Sequence, residues 1–186
     1  MTQTQDIEIK DGIKICLSLI PAEKSFYMAQ TQITQALWKA IMGYNQSHYK
    51  GDNLPVECVS WNDCQEFIEK INQITGKKFS LPTETQWQFA AKSCDEQNLD
   101  DIAWYYENSD NTTHPVATKL PNKYGLYDMF GNVWEWCEDL YDSSGPYRVV
   151  RGGSIYFYAY SLRSACRFGL YPYFAGSNYG FRLCLL

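Results

Sequence analysis

Three helix-opening signals fall in the first half of this 186-residue chain, and short glycine-punctuated segments fill the rest; that asymmetry constrains the fold most. Thr34 can cap a helix over Gln35 to Met42 that places Leu37, Trp38 and Ile41 on one side, and Gly43 suits its left-handed stop. Ser60 to Asp63 resembles a capping box, after which Cys64, Phe67, Ile68, Ile71 and Ile74 recur every three or four residues, predicting a helix to Gly76. Thr83 to Gln86 forms a second box and opens a helix carrying Trp87, Ala90 and Ala91. Before these helices, strands are expected at Asp6 to Ile9, Ile13 to Ile20 and Phe26 to Thr31. After Lys92 only short strands are expected, at Val116 to Thr118, Val133 to Cys137, Val149 to Arg151, Ser164 to Arg167 and Gly180 to Leu185. Without βαβ alternation, a 20–50-residue repeat or a linker, the chain reads as one loop-rich α+β domain over residues 1–186.

Composition supports a packed core, with 45% hydrophobic and 20% charged residues. No apolar run reaches the length of a membrane span; the longest, Ile13 to Ala22, contains Lys14. Residues 1–6 are polar and lack the pattern of a secretory leader. Seven cysteines form no CxxC, and neither His48 nor His114 sits at metal-ligand spacing, so no metal site or cofactor is expected. His114 has no paired nucleophile and is no candidate base. Net charge divides sharply, with residues 1–142 carrying −10 and residues 143–186 carrying +5. A basic segment with interleaved aromatics suggests nucleic acid, but its five arginines are dispersed and the acidic remainder repels phosphate, so no nucleic-acid partner is expected.

The most specific stretches are YGLYDMFGNVWEW (124–136), RGGS (151–154), RSACR (163–167) and GFRL (180–183). In them Gly125, Gly131, Gly152, Gly153 and Gly180 supply tight or left-handed backbone, tryptophans supply bulk, and arginines offer forked donors to buried acceptors. FYMAQTQITQALWKAIMG, LPVECVSWNDCQEFIEKIN, FSLPTETQWQFAA, NKYGLYDMFGNVWEW, RGGS and GFRL, in this order along the chain, resemble the formylglycine-generating-enzyme (sulfatase-modifying factor) family over roughly residues 26–183. The resemblance implies a C-type-lectin-like α+β fold, one that hosts both an oxidase and binding proteins.

The family's oxidase carries two copper-binding cysteines shortly after GGS; the matching positions here are Phe157 and Leu162, neither of which offers a thiolate. Cys166 and Cys184 lie off that spacing. An enzyme is therefore not expected, and an oxidase of this family, or a relative using other residues, is the alternative. The GNVWEW stretch matches a region near which the oxidase holds calcium, but Asn132 and Glu135 alone supply few oxygens and are expected to bond internally.

Residues 151–186 hold ten of the thirty aromatics but no Trp, Lys, Glu, Gln or Met, types that fill 42 of the first 150 positions. Folding offers no reason for that absence, since Lys, Glu and Gln are ordinary surface residues. The frame RGGS, LRSA, Arg167, Pro172 and GFR resembles the variable region of a subgroup of this family, the variable proteins of diversity-generating retroelements, although Ile155 stands where that frame usually has tryptophan. Their randomised codons often take the form NNC, which cannot encode those five types. The resemblance marks as variable Tyr156, Phe157, Tyr158, Tyr160, Ser161, Cys166, Phe168, Gly169, Leu170, Tyr171, Tyr173, Phe174, Gly176, Ser177 and Asn178, each a residue NNC can encode. Tyr, Ser, Gly and Asn also dominate antibody paratopes, where tyrosine gives large amphipathic contact at low entropic cost. If residues 156–160 form a strand, the three tyrosines share one face; a loop exposes more of them. The expectation is a scaffold, residues 1–150, displaying a tyrosine-rich surface from residues 151–186 to a protein or other macromolecular ligand. It is expected to act as a monomer, displayed at the cell surface as the resemblance implies.

Overall fold

Asp11 and Gly12 take left-handed φ values of 51° and 78°, the turn geometry that suits a tight hairpin. They join β1 (Thr4–Lys10) to β2 (Ile13–Ile20) in the computed structural model, which describes residues 2–95 and 97–185. The next strand, β3 (Phe26–Ala29), continues the sheet. Helices follow where caps predict them. In α1 (Gln35–Met42) the Thr34 hydroxyl accepts from the Leu37 N–H and Gly43 ends the helix at φ 83°. In α2 (Trp61–Thr75) Ser60 and Asp63 cap each other reciprocally and Gly76 ends it at φ 65°. After β4 (Phe79–Ser80), α3 (Glu84–Ala91) opens on the reciprocal Thr83–Gln86 pair. A single turn, α4 (Leu99–Ile102), was not anticipated.

The second half supplies β5 (Trp134–Leu140), β6 (Arg148–Arg151), β7 (Arg167–Leu170), β8 (Tyr179–Gly180) and β9 (Cys184–Leu185). One sheet has the order β1-β2-β3-β9-β4 and is antiparallel throughout. The other has the order β7-β6-β5-β8, with β8 parallel to β5. The expected strand Gly180 to Leu185 is split, because the chain leaves one sheet at Gly180 and enters the other at Cys184. Phe181, Arg182 and Leu183, all buried, make that crossing. Phe181 packs edge-on against Trp38 (6.1 Å) and Phe67 (5.3 Å), which stack on each other at 5.3 Å.

Arg182 meets Glu135 in the interior. Its Nε and Nη2 donate to the carboxylate at 2.7 and 2.6 Å, and the Trp87 indole and the Gln32 amide complete it at 2.7 and 3.1 Å. The remaining guanidinium N–H groups donate to the carbonyls of Ala29, Gln30, Tyr127 and Asp128. One ion pair thereby ties β3, the 127–128 turn, β5, α3 and the crossing together. Two glycines let backbones come this close. A Cβ on Gly131 would lie 2.1 Å from the Trp104 carbonyl oxygen, and one on Gly180 would lie 2.4 Å from that of Val56. Gly180 is thus needed for close approach, whereas Gly125, Gly131, Gly152 and Gly153 all take positive φ.

Other expectations need correction. Val116 to Thr118 is a turn, with Ala117 at φ 60° and its N–H bonded to the Asp128 carboxylate. The strand expected from Ser164 starts at Arg167, because Ser164 turns inward to bond Asp95. The apolar stripe of α2 ends at Ile71; Ile74, in the last turn, is 54% exposed. All seven cysteines are unpaired.

Removing one partner of a buried ion pair strands the other charge, at about 3–5 kcal/mol. Glu135→Ala is therefore expected to lower unfolding free energy by about that amount, measured by urea titration. Asp128 gives a pH prediction. Burial pushes its carboxyl up to about 6, opposed by the Ala117 N–H and the Arg182 charge, and its Oδ1 has no partner. A carboxyl raised in the folded state favours folding while protonated, so its contribution is lost as pH rises from about 4 to about 6. Asp128→Asn keeps the shape and tolerates the left-handed φ of 53°. The stability of the native chain relative to this variant should fall across that window and then stay level, read from urea midpoints at successive pH values.

Candidate ligand-binding surface

The stretch after β6 is held by the residues that the variable pattern leaves out. Ile155 is fully buried, its N–H donating to the Asn132 carbonyl (3.1 Å) and its own carbonyl accepting from the Ser109 hydroxyl (3.1 Å). Leu162 is buried in the apolar cluster around Trp87 and Phe130. Ser164 donates its N–H to Asp95 at 3.0 Å and its hydroxyl to the other oxygen, while its carbonyl accepts from Arg151. Arg167 makes two bonds to Glu84 at 2.7 and 2.8 Å, a third to the Tyr141 carbonyl at 2.9 Å, and lies over the Tyr141 ring. The Pro172 carbonyl accepts from the Asn62 N–H at the start of α2. Arg163 and Ala165 are the frame residues left exposed.

Between these anchors, Tyr156, Tyr158, Tyr160, Phe168, Tyr171, Tyr173 and Phe174 are exposed, Tyr160 at 73% and Tyr173 at 68%. Phe157, Ser161, Cys166, Gly169, Leu170, Gly176 and Ser177 are half-buried. Residues 156–160 do not form a strand; a loop leads into a 3₁₀ turn over Ala159–Ser161, and all three tyrosines point outward. Phe157 instead turns in, edge-on to Trp134 at 5.1 Å. The ring of Tyr141 lies over Gly169, where a Cβ would approach within 2.5 Å. Asn178 departs from its expected surface position. It is 8% exposed, its amide donating to the Ser154 hydroxyl (2.9 Å) and its carbonyl accepting from the Trp134 N–H (2.8 Å), so it holds the loop end against β5.

The exposed rings are arranged in short stacks: Tyr158 on Tyr160 at 5.9 Å and Tyr171 on Tyr173 at 5.1 Å, both nearly parallel. Each stack adjoins a tyrosine from outside residues 151–186. Tyr106 lies 4.6 Å from Tyr158, and Tyr147 lies 4.5 Å from Tyr171 and donates its hydroxyl to it at 3.0 Å. Tyr156 meets Tyr49 at 2.5 Å between hydroxyl oxygens. Nothing in the sequence marked Tyr49, Tyr106 or Tyr147, since their only signal was tyrosine abundance. The contacts favour neutral phenols: the Tyr106 neighbour raises Tyr158, the Tyr171 hydrogen bond raises Tyr147, and burial, then the Tyr156 bond, raises Tyr49. Tyr158, Tyr160 and Arg163 also wall a cleft of about 580 Å³ shared with Cys94 and Glu107. A larger cleft of about 840 Å³, among Phe89, Lys92, Lys123 and Tyr124, contains none of the candidates.

The residues that would hold metals do not fit them. Phe157 and Leu162 present hydrocarbon where the copper thiolates of the family's oxidase are expected, and Leu162 is buried. Cys184 is fully buried, and burial pushes its thiol well up. Glu135 directs both oxygens at Arg182, Trp87 and Gln32, and Asn132 bonds the backbone of His114 through both amide atoms, so neither is available to calcium. His114 stacks on Trp104 and bonds the Ser109 carbonyl.

Among known proteins, the formylglycine-generating enzyme of Mus musculus is 31% identical over 206 residues, covering 82% of this chain and 53% of the enzyme. The chain thus spans about half the length of that relative. The solved structure of Treponema denticola variable protein 1 matches with a TM-score of 0.91 at 26% identity, covering 98% of each chain. The major tropism determinant I1 variant shares the fold, with a TM-score of 0.61 at 16% identity over 99% of this chain and 54% of that one. The architecture is the C-type-lectin-like α+β fold of the formylglycine-generating-enzyme type. The model of the sulfatase-modifying factor enzyme 1-like domain matches residues 20–185, and the chain belongs to that family.

Proposed function

We propose that this chain is a non-catalytic ligand-binding protein whose tyrosine-rich surface is diversified by a retroelement and recognises a protein ligand, with display at the cell surface. One observation carries the reading. Of the thirteen large hydrophobic residues exposed among the described residues, seven lie between Tyr156 and Phe174, and all seven are candidate variable positions. A concentrated exposed apolar patch on a folded domain marks an interaction site. Tyrosine supplies both ring area and a hydroxyl, which suits protein surfaces of unspecified composition. The anchoring of the intervening residues supports the same reading, because side chains at the exposed positions can change while Leu162, Ser164 and Arg167 keep the backbone in place. The likeness to the variable protein of Treponema denticola supports it independently.

Three outcomes are expected. Sequences of further alleles should differ at the candidate positions and not in residues 1–150; differences scattered through the scaffold would overturn the retroelement reading. Tyr160→Ser with Tyr173→Ser should leave the thermal midpoint within about 4 °C, since two changes at exposed rings are worth about 0.5 kcal/mol or less each. A larger loss in a melting experiment would show that these rings belong to the fold. Incubated with copper and a cysteine peptide, the protein should form no formylglycine, and formation of any would overturn the non-catalytic reading.

A further inference from the structure

We infer that Tyr49, Tyr106 and Tyr147, outside the variable stretch, are fixed members of the binding surface that orient the variable side chains and contact the ligand beside them. The inference rests on the function proposed above. It starts from a repetition: the loop carrying Tyr156, the turn carrying Tyr158 and the segment carrying Tyr171 each lie against one scaffold tyrosine, the first through paired hydroxyls and the other two through tilted rings. The Tyr49 hydroxyl donates its single hydrogen to the Asn111 carbonyl at 2.7 Å, so Tyr156 is the donor in their 2.5 Å contact. Tyr49 is thereby oriented by the scaffold before any ligand arrives. Tyr147 acts in the opposite sense and donates to Tyr171. Tyr106 uses its ring, tilted 51° to that of Tyr158, and is itself 44% exposed.

The residue type fits the task. A fixed neighbour of a position that changes must accommodate rings, small hydroxyls and amides in turn. Tyrosine can stack on a ring, donate to or accept from Ser or Asn, and loses little entropy because it has only two side-chain torsions. Lys or Glu would suit one sign of neighbour only, and Phe would lack the polar contact. The arrangement also limits the freedom of the variable rings, which reduces what is lost when a ligand orders them. Part of the chain's tyrosine excess, fifteen residues in all, then has a role outside the variable stretch.

The test uses the full chain displayed on yeast, with the seven exposed candidate positions randomised by NNC codons and hen lysozyme as the probe. One library keeps the native scaffold, a second carries Tyr49→Phe, Tyr106→Ala and Tyr147→Phe, and a third carries only Tyr106→Ala, an exposed site whose loss should not unfold the domain. Clones from the second library should bind about tenfold more weakly in median Kd, and those from the third should also be weaker, at thermal midpoints matching the native scaffold. Restoring the ring with Tyr106→Phe should recover most of the affinity in the third library. Equal affinities from all three libraries would overturn the inference and leave the proposed function standing. Failure of every library to yield a binder would overturn the proposed function and this inference with it.

Discussion

The Arg182–Glu135 pair is the interaction on which the rest of the structure depends. Both side chains are buried, and between them they reach the Trp87 indole on α3, the Gln32 amide, and carbonyls from Ala29 to Asp128. A pair this deep is stable only when every remaining donor finds an acceptor, and here the guanidinium does so through backbone carbonyls. That requirement fixes where β5, β3 and the crossing between the sheets stand relative to one another. It also takes up both Glu135 oxygens near GNVWEW, the guanidinium supplying the positive charge there.

The surface built on this base separates two duties by residue. Anchors such as Ile155, Leu162, Ser164 and Arg167 hold backbone through burial or charged hydrogen bonds, while the residues between them face outward. The separation is incomplete at Phe157, which packs against Trp134, at Gly169, which lies under Tyr141, and at Asn178, which is bonded to Ser154. Changes at those three positions act on the fold as well as on the surface. Glu84 links the two duties. It stands in the first turn of α3, receives both Arg167 and Arg151, and so carries order from the helix to the outer strand β7.

Helix positions were legible because their causes are local. The Thr34, Ser60 and Thr83 caps and the Gly43 and Gly76 stops involve residues within four positions of each other. The late strands were less legible because their causes are distant. Ser164 leaves the strand pattern to meet Asp95, sixty-nine residues earlier, and Phe181–Leu183 is buried yet outside both sheets because Arg182 must reach Glu135. Ile74 kept the right spacing but lies in the last turn of α2, past the end of the buried stripe.

The sequence by itself determined the α+β class, the family, and the set of positions whose composition departs from the rest of the chain, because caps, motif order and missing residue types are written locally. Only the tertiary structure decided that Tyr156, Tyr158 and Tyr160 leave from a loop and turn instead of a strand, that Asn178 turns inward, and that Tyr49, Tyr106 and Tyr147 stand beside Tyr156, Tyr158 and Tyr171. The reason is physical: exposure and adjacency depend on which distant backbone supplies the partner, and neither periodicity nor composition carries that information.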